Sequence, residues 1–168
     1  MVLTIIAADQ PGIIERVSRV LKQHGGNWTQ SSMSSLAGQF AGILLASIPT
    51  GQTQACLKAL QELESQGLAI TVRTTNEAGL PENEQEFVME LIGNDRAGIV
   101  HEITEVLARN QVSVHEFETT TESASMGGGE LFKAKARLLV PPSTDLEILA
   151  SELEDIANDL MVDIHFQK

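Results

Sequence analysis

Two short turns in this sequence combine residue types that suit a small charged ligand. Asp9 precedes Gly12 by three residues, as Asp95 precedes Gly98, each time between an apolar run that predicts a strand and a pattern that predicts a helix. A helix N-terminus attracts a carboxylate, and a glycine there leaves room for it. The Asp would then face an ammonium group. The turns therefore predict a free amino acid as ligand, although an Asp N-cap beside a helix-packing glycine explains the same residues.

The other residues with reactive side chains form weaker patterns. Asn27 follows two glycines at the predicted return to the sheet, where its amide could contact the same ligand or serve only the local turn. The stretch 101–105 lacks the second His of a zinc-protease helix, so it predicts no metal site. The three glycines at 127–129 lack the Lys that follows a phosphate-binding loop, and we expect them to form a mobile hairpin tip. Cys56 lies on an apolar helical face. We expect no catalytic residue, no metal and no cofactor.

The two turns belong to an internal duplication. Residues 2–14 align with residues 88–100 at a constant offset of 86, which superimposes the two Asp-x-x-Gly turns. The apolar positions of the following helix match as well, with the spacing of one helical face: Ile13, Ile14, Val17, Val20 and Leu21 align with Ile99, Val100, Ile103, Val106 and Leu107. The offset rises to 92 at Phe40 and Phe132, because the second copy contains extra residues, 122–129, that belong in a hairpin loop.

Each copy predicts the element order βαββαβ. Strands are expected near residues 2–8, 28–35, 39–48 and 68–74 of the first copy, and from 88 onward, then near 113–121, 131–140 and 161–167 of the second. Thr144-x-x-Glu147 predicts a capping box at the last helix. Two interlocked strand-helix-strand units give an α+β, ferredoxin-like domain, a four-stranded antiparallel sheet with two helices on one face and its second and fourth strands at the edges.

These elements define the expected domain limits. The first domain covers residues 1–75 and the second covers 87–168, and the polar, acidic stretch 76–86 between them is expected to be a linker. The second strand of the first copy is polar on both faces, which suits a hydrated edge or one that pairs with a partner strand, so a homodimer is one expected assembly.

Charge and composition exclude several classes of protein. The net charge of −12 repels nucleic-acid phosphates, and the chain has few aromatic residues on which bases could stack, so we expect no direct nucleic-acid binding. Nearly all of this charge lies in residues 77–168, with six Lys/Arg against nineteen Asp/Glu, whereas residues 1–76 carry five against four. With one cysteine and no apolar run of ~20 residues, the chain is expected to be cytoplasmic and not to enter a membrane.

The repeated motif resembles a known family. Asp9-Gln-Pro-Gly12 with its following apolar helix and Gly26-Asn27, repeated as Asp95-Arg-Ala-Gly98 with a matching helix, is similar to tandem ACT domains, and among them to the glycine cleavage system transcriptional repressor family. The resemblance covers nearly the whole chain. It implies ligand contact where the first turn meets a neighbouring domain. The positions carried over by resemblance are Asp9, Gln10, Gly12, Ile13, Asn27, Asp95, Arg96, Gly98 and Ile99.

What the resemblance implies is a non-enzymatic sensor of a small amino acid, for which glycine is one candidate. Members of the family are thought to repress transcription indirectly, by binding a transcriptional activator of LysR type. The alternatives are a stand-alone ACT module that regulates a metabolic enzyme, or a non-catalytic remnant related to formyltetrahydrofolate deformylase, which begins with a similar ACT segment. Because the copies differ inside the motif, Gln-Pro against Arg-Ala, we expect divided duties: ligand contact at one turn, and partner or interdomain contact at the other.

Overall fold

The computed structural model describes residues 1–74, 84–123 and 129–168. The chain divides into two compact units, Met1–Ala78 and Gly79–Lys168, and each is described by itself. Most of the expected linker and the residues 127–128 of the expected mobile hairpin tip lie outside the described residues. Strand β5 begins at Gln85 and so includes the last two residues of the expected linker. The limits of the linker stay a prediction, because most of its residues are not described.

Both units have the expected element order. The first unit consists of β1 (Val2–Ala8), α1 (Ile13–Gln23), β2 (Asn27–Leu36), β3 (Gln39–Ser47), α2 (Thr53–Glu62) and β4 (Leu68–Arg73). The second unit consists of β5 (Gln85–Asn94), α3 (Ile99–Arg109), β6 (Ser113–Ser123), β7 (Glu130–Val140), α4 (Leu146–Leu160) and β8 (Val162–Gln167). Short 3-10 turns flank α2.

The strand pairing confirms the predicted fold class. The sheets have the orders β2-β3-β1-β4 and β6-β7-β5-β8, and every pair is antiparallel. The second and fourth strands of each unit are therefore its edges, as expected. The chain contains two ferredoxin-like sheets with the same connectivity, one after the other.

Each unit buries one face of its sheet beneath its two helices. On β1 the side chains of Leu3, Ile5 and Ala7 are buried, and the alternate side chains of Thr4 and Ile6 point away from the helices to solvent. The buried face of α1 completes this core with four of the five residues the helical spacing predicted, Ile13, Val17, Val20 and Leu21. Ile14 and its counterpart Val100 are exposed instead, so that part of the prediction is wrong. The second unit has a separate core built in the same way. The sheet face away from the helices stays open.

The predicted capping box is wrong by one residue. Asp145, not Thr144, is the N-cap of α4, and its carboxylate accepts hydrogen bonds from the backbone N–H groups of Glu147 and Ile148 at 3.0 and 3.2 Å. The hydroxyl of Thr144 instead donates to the carbonyl of Asn110 at 3.1 Å. The adjacent cap residues were equally good by type, and a contact 34 residues away in the sequence selected between them.

The open face of the second sheet carries a row of ion pairs. Lys133 and Lys135 on β7 contact Glu122 at 2.6 Å and Glu90 at 2.8 Å, and Arg137 next along β7 contacts Glu116 on β6. The hydrogen bond with Lys135 lowers the pKa of Glu90 from its ordinary value, and the same bond raises the pKa of Lys135. The ion pair therefore favours the charged form of both partners.

This pair predicts a specific pH dependence. The pKa of Glu90 is lowered on folding, so its contribution to stability is present above the ordinary Glu pKa and disappears as the pH falls through the lowered one. The contribution of Lys135 is present below the ordinary Lys pKa and disappears as the pH rises through the raised one. In Glu90→Gln we expect the pKa of Lys135, followed by NMR of its side chain, to return toward its ordinary value. In the control Glu118→Gln, which removes a weaker Coulombic neighbour, it should move less; equal shifts would contradict the assignment.

Candidate amino-acid site at the first turn

The first Asp-x-x-Gly turn connects the end of β1 to the start of α1. The backbone N–H of Asp9 donates to the carbonyl of Gly38 at 2.9 Å, which ties the turn to the tip of the β2–β3 hairpin. Gly12 is the N-cap of α1 with φ of +90°, a conformation that favours glycine, and a Cβ added there would have no heavy atom within 4 Å. The turn thus presents the start of α1 with open space in front of it.

Asp9 does not cap the helix. Its carboxylate accepts a hydrogen bond from the hydroxyl of Ser35 at 2.6 Å, and neither Gly12 nor Gly98 has a side-chain cap on its helix. The N-cap interpretation of the two Asp residues is therefore wrong. Because Ser35 stands at the far end of β2, this bond holds the Asp9 carboxylate between the turn and the hairpin, where it stays exposed to solvent.

Arg16 adds a positive charge to the first turn of α1. Its Nε donates to the carbonyl of Gly12 at 3.3 Å, which brings the guanidinium back toward the turn. The exposed carboxylate of Asp9, the half-buried side chain of Arg16 and the N-terminus of α1 thus all belong to one turn. A carboxylate within the turn and a guanidinium bonded to the same turn suit the ammonium and carboxylate groups of a zwitterion.

The second turn has a similar backbone but a different arrangement of charges. Gly98 is again the N-cap, with φ of +96°, and the N–H of Asp95 donates to the carbonyl of Glu130 at 2.8 Å. Arg96, however, donates to Glu102 at 2.8 Å, and Glu102 occupies the position that Arg16 has in the first unit. A Cβ added at Gly98 would lie 3.4 Å from the Glu102 carboxylate. The cation at this turn therefore already has an internal carboxylate partner, and the Glu102 side chain lies close to the start of α3.

Asn27 lies at the opposite end of the sheet from the first turn. Asn27 begins β2 opposite Ser47, whereas the end of β1, before Asp9, pairs with Gln39 at the other end of β3. Along β3, the pairing partner of Asn27 and that of the end of β1 are eight residues apart, which corresponds to roughly 27 Å. The expectation that Asn27 lies beside the turn is wrong. Strands β1 and β2 both run antiparallel to β3, so the order of elements already carried the signal that β2 starts at the far end of the sheet.

Ile13 and Ile99 are core residues. Each is only 3% exposed, and each packs beneath its own sheet. Their side chains are therefore not available to a ligand at the turn. Gln10 and Arg96 are exposed, so the ligand-contact role predicted for both of them stays a prediction.

The model of the ACT domain family matches residues 1–75, the whole of the described first unit and its six elements. Residues 1–75 are an ACT domain. The second half has the same element order and sheet pairing, so the chain is a tandem pair of ferredoxin-like domains, the first of which is an ACT domain. No curated protein matches the sequence.

Two solved structures share this tandem architecture. A protein of unknown function from Galdieria sulphuraria is 28% identical with a TM-score of 0.88, and the match covers 99% of this chain and 95% of that one. A candidate glycine cleavage system transcriptional repressor is 20% identical with a TM-score of 0.69, and the match covers 99% of this chain and 94% of that one. Both structures share the fold of this chain.

A groove in the first ACT domain was not anticipated from the sequence. It has a volume of about 410 Å³ and lies between the solvent side of α1 and the start of β2, lined in part by Arg19, Lys22 and Trp28. Arg19 is held by Glu15 through hydrogen bonds of 2.7 to 2.9 Å.

Among the described residues, no three His, Cys, Asp or Glu side chains are placed to hold a metal ion. No described helix is long and apolar enough to cross a membrane.

Proposed function

We propose that the chain is an amino-acid-sensing regulator that binds its ligand at the first turn and acts through a protein partner. The observation that carries the proposal is the asymmetry between the two turns. The first combines the exposed carboxylate of Asp9, the guanidinium of Arg16 and open space at Gly12. At the second, Arg96 is paired with Glu102.

The charges favour an amino acid with a small side chain. An α-carboxylate at the start of α1 would gain from the helix N-terminus and from Arg16, while the ammonium group would contact the Asp9 carboxylate. The backbone at Gly12 carries no Cβ to keep the ligand away. Glycine is the first candidate because it is the smallest zwitterion with both groups.

Calorimetry against the amino acids tests this site. We expect binding of glycine or another small amino acid by the full chain, and a loss of at least ~10-fold in affinity in Asp9→Ala and in Arg16→Ala, since each removes one charge-assisted contact. The matched control is Asp95→Ala at the second turn, which should bind as the wild type does. No heat with any amino acid would overturn the ligand proposal, and equal losses in Asp9→Ala and Asp95→Ala would overturn the asymmetry.

The role of Asn27 belongs to the same proposal. It lies at the other end of its own sheet, so it would reach a ligand only if its end of β2 met the turn of another ACT domain. If Asn27→Ala weakens binding, the site is shared between domains. If binding is unchanged, Asn27 has only its local turn role.

The proposed output is indirect repression of transcription in the cytoplasm, through a transcriptional activator of LysR type and without catalysis. The net charge of −12 supports an indirect mechanism, because a chain of this charge repels DNA. Co-purification with such an activator, with and without glycine, tests this part. A complex whose yield changes with glycine supports the proposal, whereas binding to a metabolic enzyme instead would favour a stand-alone ACT module. Release of formate from formyltetrahydrofolate would contradict the non-enzymatic assignment.

A further inference from the structure

The open face of the first sheet, here called the neutral face, has almost no charge. It consists of the side chains that point away from the two helices: Val2, Thr4, Ile6, Ala8, Gln30, Ser32, Ser34, Leu36, Gln39, Ala41, Ile43, Leu45, Ala69, Thr71 and Arg73. Arg73, at one corner, is the single charged residue among them. Ile6 and Ile43 lie on the two central strands, and each is 52% exposed. An apolar centre surrounded by small polar side chains is costly to leave in water.

The same face of the second sheet is built differently. The three cations of β7, Lys133, Lys135 and Arg137, occupy the positions that Ala41, Ile43 and Leu45 have in the first sheet. Glu90 likewise takes the position of Thr4, and it pairs with Lys135 at 2.8 Å. Two copies of the second face would bury these ion pairs at a cost in desolvation. The duplication has therefore left one charged face and one neutral face.

We propose that the neutral face is a self-association surface, on which the neutral face of a second copy of this chain stacks. Overall charge favours this occupant. Residues 1–76 carry five basic and four acidic groups, so two first units approach each other with little repulsion. Residues 77–168 carry six basic and nineteen acidic groups, which disfavours any dimer built on the second units. A two-fold stack of first units is the self-association mode that this charge distribution favours.

The side chains suit a stack of two sheets. Packed sheets lie ~10 Å apart, which requires small or medium side chains on the facing strands, and the neutral face supplies Ala, Ser, Thr and Ile there. Four strands of six to ten residues give a projected area of roughly 500 Å² for this face. Stable complexes bury about 800 Å² per partner. We therefore expect a weak, concentration-dependent dimer.

Sedimentation velocity of the full chain over a range of concentrations tests the proposal. The matched pair of variants is Ile6→Glu and Ile92→Glu, because Ile92 has the equivalent position on the charged face and is similarly exposed, at 44%. We expect a concentration-dependent dimer in the wild type and in Ile92→Glu. In Ile6→Glu the dissociation constant should rise by at least ~100-fold, because two carboxylates would be buried against an apolar surface. Circular dichroism confirms that both variants are folded.

Three results would overturn the proposal. The first is a wild type that remains monomeric up to ~1 mM. The second is a dimer that survives Ile6→Glu, which would assign association to another surface such as the edge strand β2. The third is equal weakening by both substitutions, which would show an effect of added negative charge alone. None of these results depends on whether the first turn binds an amino acid, so this proposal and the ligand site succeed or fail separately.

Discussion

Leu44→Ala is expected to lower the free energy of unfolding of the first unit by about 2–5 kcal/mol. Leu44 on β3 is fully buried beneath the helices of its own unit, so its truncation leaves a cavity that surrounding side chains fill only in part. The single Trp of the chain, Trp28, packs against the same core, and its fluorescence during urea unfolding therefore reports on this unit alone.

Two further substitutions make this result specific. Leu36→Ala removes a leucine that is 80% exposed and should change the free energy of unfolding by no more than about 0.5 kcal/mol. Leu138→Ala creates the same kind of cavity in the second core and should leave the Trp28 transition where it is, since the two cores share no residue. A Trp28 transition that moves as far in Leu138→Ala as in Leu44→Ala would show that the units unfold together.

Gly93→Ala is expected to destabilise the second unit by about 1–3 kcal/mol. Gly93 on β5 lies directly opposite Val162, the first residue of β8. A Cβ added at Gly93 would overlap the Cγ1 methyl of Val162 and lie 2.7 Å from its Cβ and 3.1 Å from its Cα. Because the last of these is a backbone atom, β8 must move away from β5.

The first unit shows how this clash is relieved. Ala7 has the position of Gly93 there, and it pairs with Leu68, whose side chain is not branched at Cβ. The double variant Gly93→Ala with Val162→Leu should therefore recover at least half of the lost stability in a double-mutant cycle. Gly51→Ala, at a site where an added Cβ meets no atom within 4 Å, is the control for the gain of a methyl group and should be nearly neutral. A neutral Gly93→Ala would contradict the close approach of β5 and β8.

Periodicity along the chain was enough to predict most of the fold. The helical spacing of Ile13, Val17, Val20 and Leu21 predicted the face that α1 buries, and the offset of 86 residues extended the same prediction to α3. These features depend only on the spacing of residues along the sequence, so they can be predicted without knowledge of tertiary contacts. The antiparallel sheets then followed from the order of the elements.

Contacts between residues far apart in the sequence were harder to predict. The hydroxyl that holds Asp9 comes from Ser35, 26 residues away, and the hydroxyl of Thr144 is drawn to Asn110 instead of capping α4. The prediction that Asn27 lies beside the turn was wrong for a different reason, because the direction of β2 could have been derived from the predicted topology. In the first two cases several polar partners were equally suitable by type, and only the packing of strands and helices selected one.

The amino-acid sequence was sufficient to establish the duplication, the order of strands and helices and the two Asp-x-x-Gly turns, because each of these depends on local spacing. The sequence already showed that the two turns differ, but only the tertiary structure showed how, by pairing Arg96 with Glu102 while Arg16 folds back toward Gly12. It also separated a neutral sheet face from a charged one. Both distinctions depend on side chains from different elements that the antiparallel register brings to the same place, and no spacing along one segment encodes that register.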